Sequence, residues 1–532
     1  MPPTLLLGPI LGYEAPGRYS VCCVVGPDLD PSDMQLEASA GLASVASWTP
    51  LPSGRRFLRF TLDGVAGGAG GPVAYRILMS GTELASKSEG GSSWTFHPPV
   101  PGEEVRFAFA SCNGFSSRPG RAELAGATPA GGSRWGQWDE LQADHEDEPI
   151  HLLVLGGYQI YSDAIFKDES VAPAFCDWLG LSLRRRMKRG FTRVMRDQLE
   201  RSFEGFYLKQ WGYPAVASVM ARIPSVMMWD DHDIIDGWGS YEKVGDSEVM
   251  RGLFEVADRL FQTFQLRLRG ENASILAPGG THHSWWVQIG SHLVLGLDNR
   301  SRRTTTRIMD EAQWGDVDTW LQAHVESGLP AGVENLHIVS PVPVAYRHFG
   351  KADLAFRSSE WFRREDDPTS LEDDVRDHWQ HRKHEWERVK LIKTLIDAIR
   401  SSRGSARGVR RATILSGDVH VACAGSIRSS DGIELHQVVS SGILHPPPSF
   451  AEWLGVRATS SDNDQDLEGG TVRVRTERIV GQDAKFVRRR NYAVAQVRGG
   501  TPKLYVMWKF ESTVEGASEV GTLVAGDMRH EP

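Results

Sequence analysis

Two kinds of apolar pattern divide this 532-residue chain. Up to about residue 103 the apolar positions fall in short mixed runs, Tyr19–Val25, Arg56–Leu62 and Val73–Met79. Glycine-rich turns such as Gly64–Gly71 and Gly90–Gly91 separate them. Short strands with frequent turns predict a small all-β sandwich. From about Glu104, continuous apolar runs alternate with longer stretches of helical period. The strands expected there are Val105–Ala110, His151–Leu155, Ser225–Trp229, Leu293–Leu297, Leu336–Val339, Thr413–Leu415 and Leu435–Val439. Several are uninterrupted apolar runs, as expected where a sheet is covered on both faces. Val389, Ile392, Leu395, Ile396 and Ile399 recur at helical spacing, as do Met250, Phe254, Ala257, Leu260 and Phe261. Each stripe predicts a helix with one buried face. Strands alternating with helices indicate an α/β sheet. Tyr492–Val497 and Leu504–Phe510 are expected as a late antiparallel pair, and the polar, glycine-rich end as a loose tail. The domain division expected is therefore 1–103, 104–511 and a tail 512–532.

Composition narrows the class. Lys plus Arg number 59 against 68 Asp plus Glu, a net charge of −9. Mild acidity argues against a dedicated nucleic-acid partner, which favours a basic surface. The basic runs Leu183–Arg189 and Arg400–Arg411 are expected as surface helix and loop. Five scattered cysteines with no CxxC pair exclude a zinc ribbon and suggest a reducing compartment. The N-terminal apolar run lacks a basic leader and is broken by Pro and Gly, and no stretch is long enough to span a membrane. A cytoplasmic protein without a membrane span is expected. The acidic stretch Asp462–Glu468 fails the EF-hand test, because Leu467 and Arg473 stand where a Gly and a Glu are required. The tryptophans are expected as core rather than as a carbohydrate platform. His378, His381 and His384 are expected on a solvated helix face.

The informative polar residues sit at the ends of the expected strands. In chain order these ends read Ser111-Cys112-Asn113, Gly157-Tyr158-Gln159-Ile160-Tyr161, Asp230-Asp231-His232-Asp233, Asp298-Asn299-Arg300, Ser340-Pro341-Val342 and Gly417-Asp418-Val419-His420. Open α/β sheets bind ligands outside the carboxyl ends of their strands. A thiol, phenols, carboxylates and imidazoles together suit iron(III), zinc, manganese or calcium.

The segments FAFASCNG (107–114), LGGYQIYSD (155–163), WDDHDIIDGWGSY (229–241), LDNR (297–300), DDVRDHW (373–379) and SGDVH (416–420) resemble, in order, the motifs of alkaline phosphatase D (PhoD-like) metallophosphatases. The resemblance covers roughly residues 104–500. It implies a four-layer α/β/β/α metallophosphoesterase core, often preceded by a small β-domain. It implies a dinuclear metal site, with iron beside calcium or another divalent cation, that hydrolyses small phosphate monoesters or diesters. By position it implies metal ligation by Cys112, Tyr161, Asp231, Asp418 and His420, a catalytic role for His232, and phosphate-side roles for Asn113 and Arg300.

One position departs from that pattern. The second motif carries Tyr158 where the family has the Asp whose two oxygens bridge both metals. A phenolate binds iron(III) but bridges poorly. The resemblance therefore implies either metal-assisted hydrolysis of a phosphate ester or a disabled or repurposed relative. In the latter the site is metal-poor, or rebuilt around one metal and neighbours such as Asp163.

Overall fold

Apolar strands buried along their whole length stack here as two facing sheets. The computed structural model describes residues 3–39, 41–65, 71–116, 135–267, 274–348, 377–461, 464–498, 503–512 and 519–528. In the first sheet Arg106–Ala110, Leu152–Gly156 and Ser225–Met228 run parallel, and Asn491–Val497 closes antiparallel on Arg106–Ala110. In the second, His292–Gly296, Asn335–Val339, Arg411–Ser416 and Glu434–Val439 are parallel neighbours, flanked by antiparallel Trp285–Ile289 and Cys423–Ser429.

The sheets meet face to face. Phe107 of the first sheet packs edge-on against His292 and His337 of the second, with ring centroids 5.3 and 4.9 Å apart. Trp508 Nε1 donates to the carbonyl of Val439 at 2.8 Å, and Trp285 Nε1 to that of Met227 at 2.8 Å. Helices cover the outer faces. Glu248–Phe264 turns Met250, Leu253, Ala257, Leu260 and Phe261 into the core of the first sheet. Glu385–Ser402 turns Leu391, Ile392, Leu395, Ile396 and Ile399 into that of the second. The result is the expected α/β/β/α layering.

The N-terminal strands do not stand apart. Leu7–Ala15 joins the first sheet beside Ser225–Met228, with Gly12 opposite Ser225, and Arg18–Val25 and Arg56–Leu62 follow outward. Glycine is required at position 12, because the Arg267 guanidinium and the Ser20 hydroxyl occupy the space a Cβ would take. The C-terminal end is also more ordered than a loose tail: Glu519–Ala525 pairs antiparallel with Leu504–Phe510. Within the acidic stretch, Gln465–Leu467 is a strand on Val472–Glu477. Leu183–Lys188 is a helix as expected, whereas Arg411 begins a central strand, because its buried guanidinium is held by Asn335 and Glu334. Asn272, the asparagine of a glycosylation sequon, lies outside the described residues. No helix among the described residues is long and apolar enough to cross a membrane.

Candidate active site

The strand ends converge, and one carboxylate organises the loop that carries the second motif. Asp233 accepts from the backbone N–H groups of Tyr158 (2.7 Å), Gln159 (2.9 Å), Ile160 (3.1 Å) and Asp230 (2.9 Å), and from Gln265 Nε2 (2.9 Å). Otherwise these N–H groups would be buried without partners, at a cost of about 1–3 kcal/mol each. Cys112, Tyr158, Asp418 and His420 all have left-handed backbones, with φ of 59°, 57°, 71° and 53°. Such conformations are costly for residues other than Gly, and they cluster where surrounding structure over-determines a functional loop.

On one side lie the thiol and two rings. Cys112 is fully buried, its Sγ 3.1 Å from both Ser111 Oγ and Ser441 Oγ. Burial pushes the thiol up to about 12, against hydrogen bonds that lower it. Tyr161 OH lies 3.3 Å from His420 Nε2. His420 stacks on His445 at 3.6 Å, and burial first, then His445, depresses its pKa well below the usual range.

On the other side, the Tyr158 hydroxyl donates a short hydrogen bond to Asp418 Oδ1. Burial, followed by the charges of Asp377 and Asp231, raises Asp418 to about 7. The Tyr158 ring lies between neighbours, stacked on Tyr161 at 5.8 Å and tilted against His232 at 5.2 Å. Asp231 is turned partly inward: its carboxylate accepts from His232 N–H at 2.8 Å and Gly237 N–H at 2.9 Å.

His232 is gripped by acids. Its Nδ1 is 2.8 Å from Asp163 Oδ2 and its Nε2 is 3.7 Å from Asp236 Oδ1. Burial opposes its charge, but Asp163 and then Asp236 overcome that and hold the imidazole protonated well above its ordinary range. Asp163, His232 and Asp236 present ligand atoms within 4.8 Å of one another, a grouping able to hold a metal ion. Lys167 Nζ also lies 2.9 Å from Asp163 and 3.4 Å from Asp236. With an imidazolium and an ammonium against two carboxylates, this trio is already charge-balanced.

The two residues expected on the phosphate side differ. Arg300 is fully buried, and all three of its nitrogens are engaged: Nε with Asp230, and Nη1 and Nη2 with Asp377 at 2.5 Å each. It braces the site rather than presenting a free fork. Asn113 Oδ1 accepts from Trp138 Nε1 at 2.9 Å and Gln210 Nε2 at 3.1 Å. Its buried Nδ2 has no partner among the described residues.

The histidines expected on a solvated helix face are buried instead. His378, His381 and His384 precede the helix Glu385–Ser402 in successive turns, and His378 Nδ1 is 3.8 Å from Asp418 Oδ2. Helical spacing misled because the helix begins only at Glu385, after all three histidines. Ser441 and His445 escaped notice for another reason. They follow the strand Glu434–Val439, a seventh strand end whose polar cluster obeys the same rule as the other six. His282 and His283 pair separately, with Asp316 and Asp258. Trp178, Trp211, Trp229 and Trp285 are buried core.

The fold has a counterpart among solved structures. The solved structure of PhoD superposes with a TM-score of 0.57 at 14% identity, covering 99% of this chain and 91% of that one. That likeness concerns the fold. The uncharacterized protein YGR266W of Saccharomyces cerevisiae is 27% identical over 383 residues, 62% of this chain and 51% of that protein. The chain thus spans about half the length of the curated relative it matches. The profile of the PhoD related phosphatase family matches residues 101–359 and 367–454, more than half of the chain and every strand end described above. This protein is a member of the PhoD related phosphatase family.

Proposed function

We propose that this chain hydrolyses phosphate esters with a water activated by bound metal at the rim where the two sheets' strand ends meet. The observation that carries this reading is the convergence of Cys112, Tyr161 and His420 beside Asp231 and Asp418. The donor set fits a cation on the thiol side. Tyr161 OH and His420 Nε2 are 3.3 Å apart, and Cys112 and Asp418 are buried acids raised toward their protonated forms, a cost that a cation would offset. Thiolate, phenolate and imidazole suit iron, and the carboxylates suit calcium or another divalent ion such as zinc or manganese. A bound cation would supply Lewis acidity and make hydroxide available near neutral pH.

The remaining roles belong to the chain's own side chains. His232, held by Asp163, keeps a proton for the departing alkoxide. The free Asn113 amide N–H is a donor for a phosphoryl oxygen. Arg300 fixes Asp230 and Asp377 in place.

A second reading rests on Tyr158. Its hydroxyl occupies Asp418, and its phenol offers no carboxylate to bridge two ions. That arrangement favours a mononuclear or repurposed site. Hydrolysis of aryl phosphate monoesters and diesters by purified, metal-loaded protein, with and without chelator, tests the leading reading. Chelation is expected to abolish turnover; metal-loaded protein that cleaves neither ester class overturns it.

A further inference from the structure

A cavity of about 650 Å³ opens beside the candidate site, within the size range of small-molecule pockets. Its far wall is the helix Arg193–Trp211, and its near wall is the chain leaving the second motif. Two residues join it to the site. Tyr161 lines the cavity while its hydroxyl faces His420, and Gln210 lines it while donating to Asn113 at 3.1 Å.

The wall is apolar where Val171 and Phe206 are accessible, with Phe115 and Ile160 packed behind, and polar where Gln198, Ser202 and Gln210 contribute. At the mouth stand Arg201 and Lys209, both exposed, against the single carboxylate of Asp168, so the mouth is net positive. Gly205 lies in the interior of the 19-residue helix, where glycine costs about 1 kcal/mol relative to alanine. A Cβ built there meets nothing within 4 Å, so no close packing demands the glycine. What the missing side chain preserves is the open space of the cavity.

We infer that this cavity is the leaving-group pocket of the site, and that it selects phosphate esters whose alcohol portion is a bulky aromatic group over small or sugar-like ones. This rests on the hydrolase reading for the placement of the phosphate. An aromatic body seated there would displace water from the half-buried side chains of Val171 and Phe206, which favours binding in proportion to the apolar area covered. The positive mouth assists entry of the charged ester.

Calorimetric titration of the full-length, metal-loaded chain with 1-naphthylmethylphosphonate, methylphosphonate and inorganic phosphate, none of which it can hydrolyse, tests this, with turnover of the matching phosphate esters measured separately. The naphthyl probe is expected to bind at least tenfold more tightly than the other two. Gly205→Leu, which fills the cavity and favours the helix, should bring that ratio close to one, and Phe206→Ala should lower it severalfold. Equal affinities for the three probes overturn the inference, as does a naphthyl preference that survives both substitutions. If the preference is present and abolished by Gly205→Leu while neither ester is turned over, the pocket stands and the hydrolase reading falls.

Discussion

The hydroxyl of Tyr158 and the carboxylate of Asp418 come from different sheets and are joined by a single short hydrogen bond. Asp418 is thereby partnered by a phenol at a point where a bridging carboxylate would leave it facing a cation. The backbone sharpens the contrast, since Tyr158 sits at φ 57°, a conformation that Asp adopts more readily than an aromatic residue.

Tyr158→Asp is therefore expected to add about one equivalent to the metal content of the purified protein, and to increase aryl phosphatase turnover at least tenfold, since about 1.4 kcal/mol of extra transition-state stabilisation suffices for that factor. Elemental analysis and initial rates measure the two effects. Unchanged metal content would remove Tyr158 as the reason for an altered site.

Cys112→Ser keeps the size of a fully buried side chain while removing the soft ligand. Loss of iron and of activity is expected, with a change in unfolding free energy of no more than about 1 kcal/mol, because the hydroxyl retains the neighbouring Ser111 and Ser441 as partners. Iron content and urea midpoints together distinguish a ligand from a packing residue.

His232→Gln removes the proton held between Asp163 and Asp236. Turnover of alkyl phosphates, whose leaving groups need that proton, is expected to fall about 10²–10⁴-fold. Aryl phosphates with acidic leaving groups should lose far less. An equal loss on both would assign His232 to positioning or metal binding.

Arg300→Met leaves Asp230 and Asp377 buried without their guanidinium. Breaking a buried ion pair from one side costs about 3–5 kcal/mol, and thermal unfolding should register it as a clear drop in Tm. Adding Asp377→Asn to Arg300→Met should restore part of the loss.

His292 and His337 lie between the two sheets, 2.9 Å apart, with His337 Nδ1 2.7 Å from Thr413 Oγ1. Burial lowers His292 to about 3 and holds His337 well below its ordinary range. Both stay neutral when folded, whereas the unfolded chain takes up protons near pH 6.5. Their contribution is thus present above that pH and lost as pH falls toward 3, at about 1.4 kcal/mol per pH unit for each histidine. Urea unfolding at pH 7 and pH 5 should show this decline, and His292→Gln combined with His337→Gln should flatten it.

Periodicity alone determined the central strands and the two helices Glu248–Phe264 and Glu385–Ser402, because a two-face-buried strand and a one-face-buried helix leave local signatures. The order of residues along the chain added that metal-capable groups follow strand after strand, and the family resemblance added that Tyr158 stands where a carboxylate is expected. What lay beyond the sequence was decided by packing between elements far apart in the chain. Ser225 meeting Gly12 made the N-terminal strands part of the first sheet. Asp377 reaching Arg300 turned an expected phosphate contact into a brace. The chain ahead of the helix Glu385–Ser402, folding in at the strand ends, made His378 a buried neighbour of Asp418. Each of these depends on which strand lies beside which, and on the burial that follows from it, neither of which has a local periodic signal.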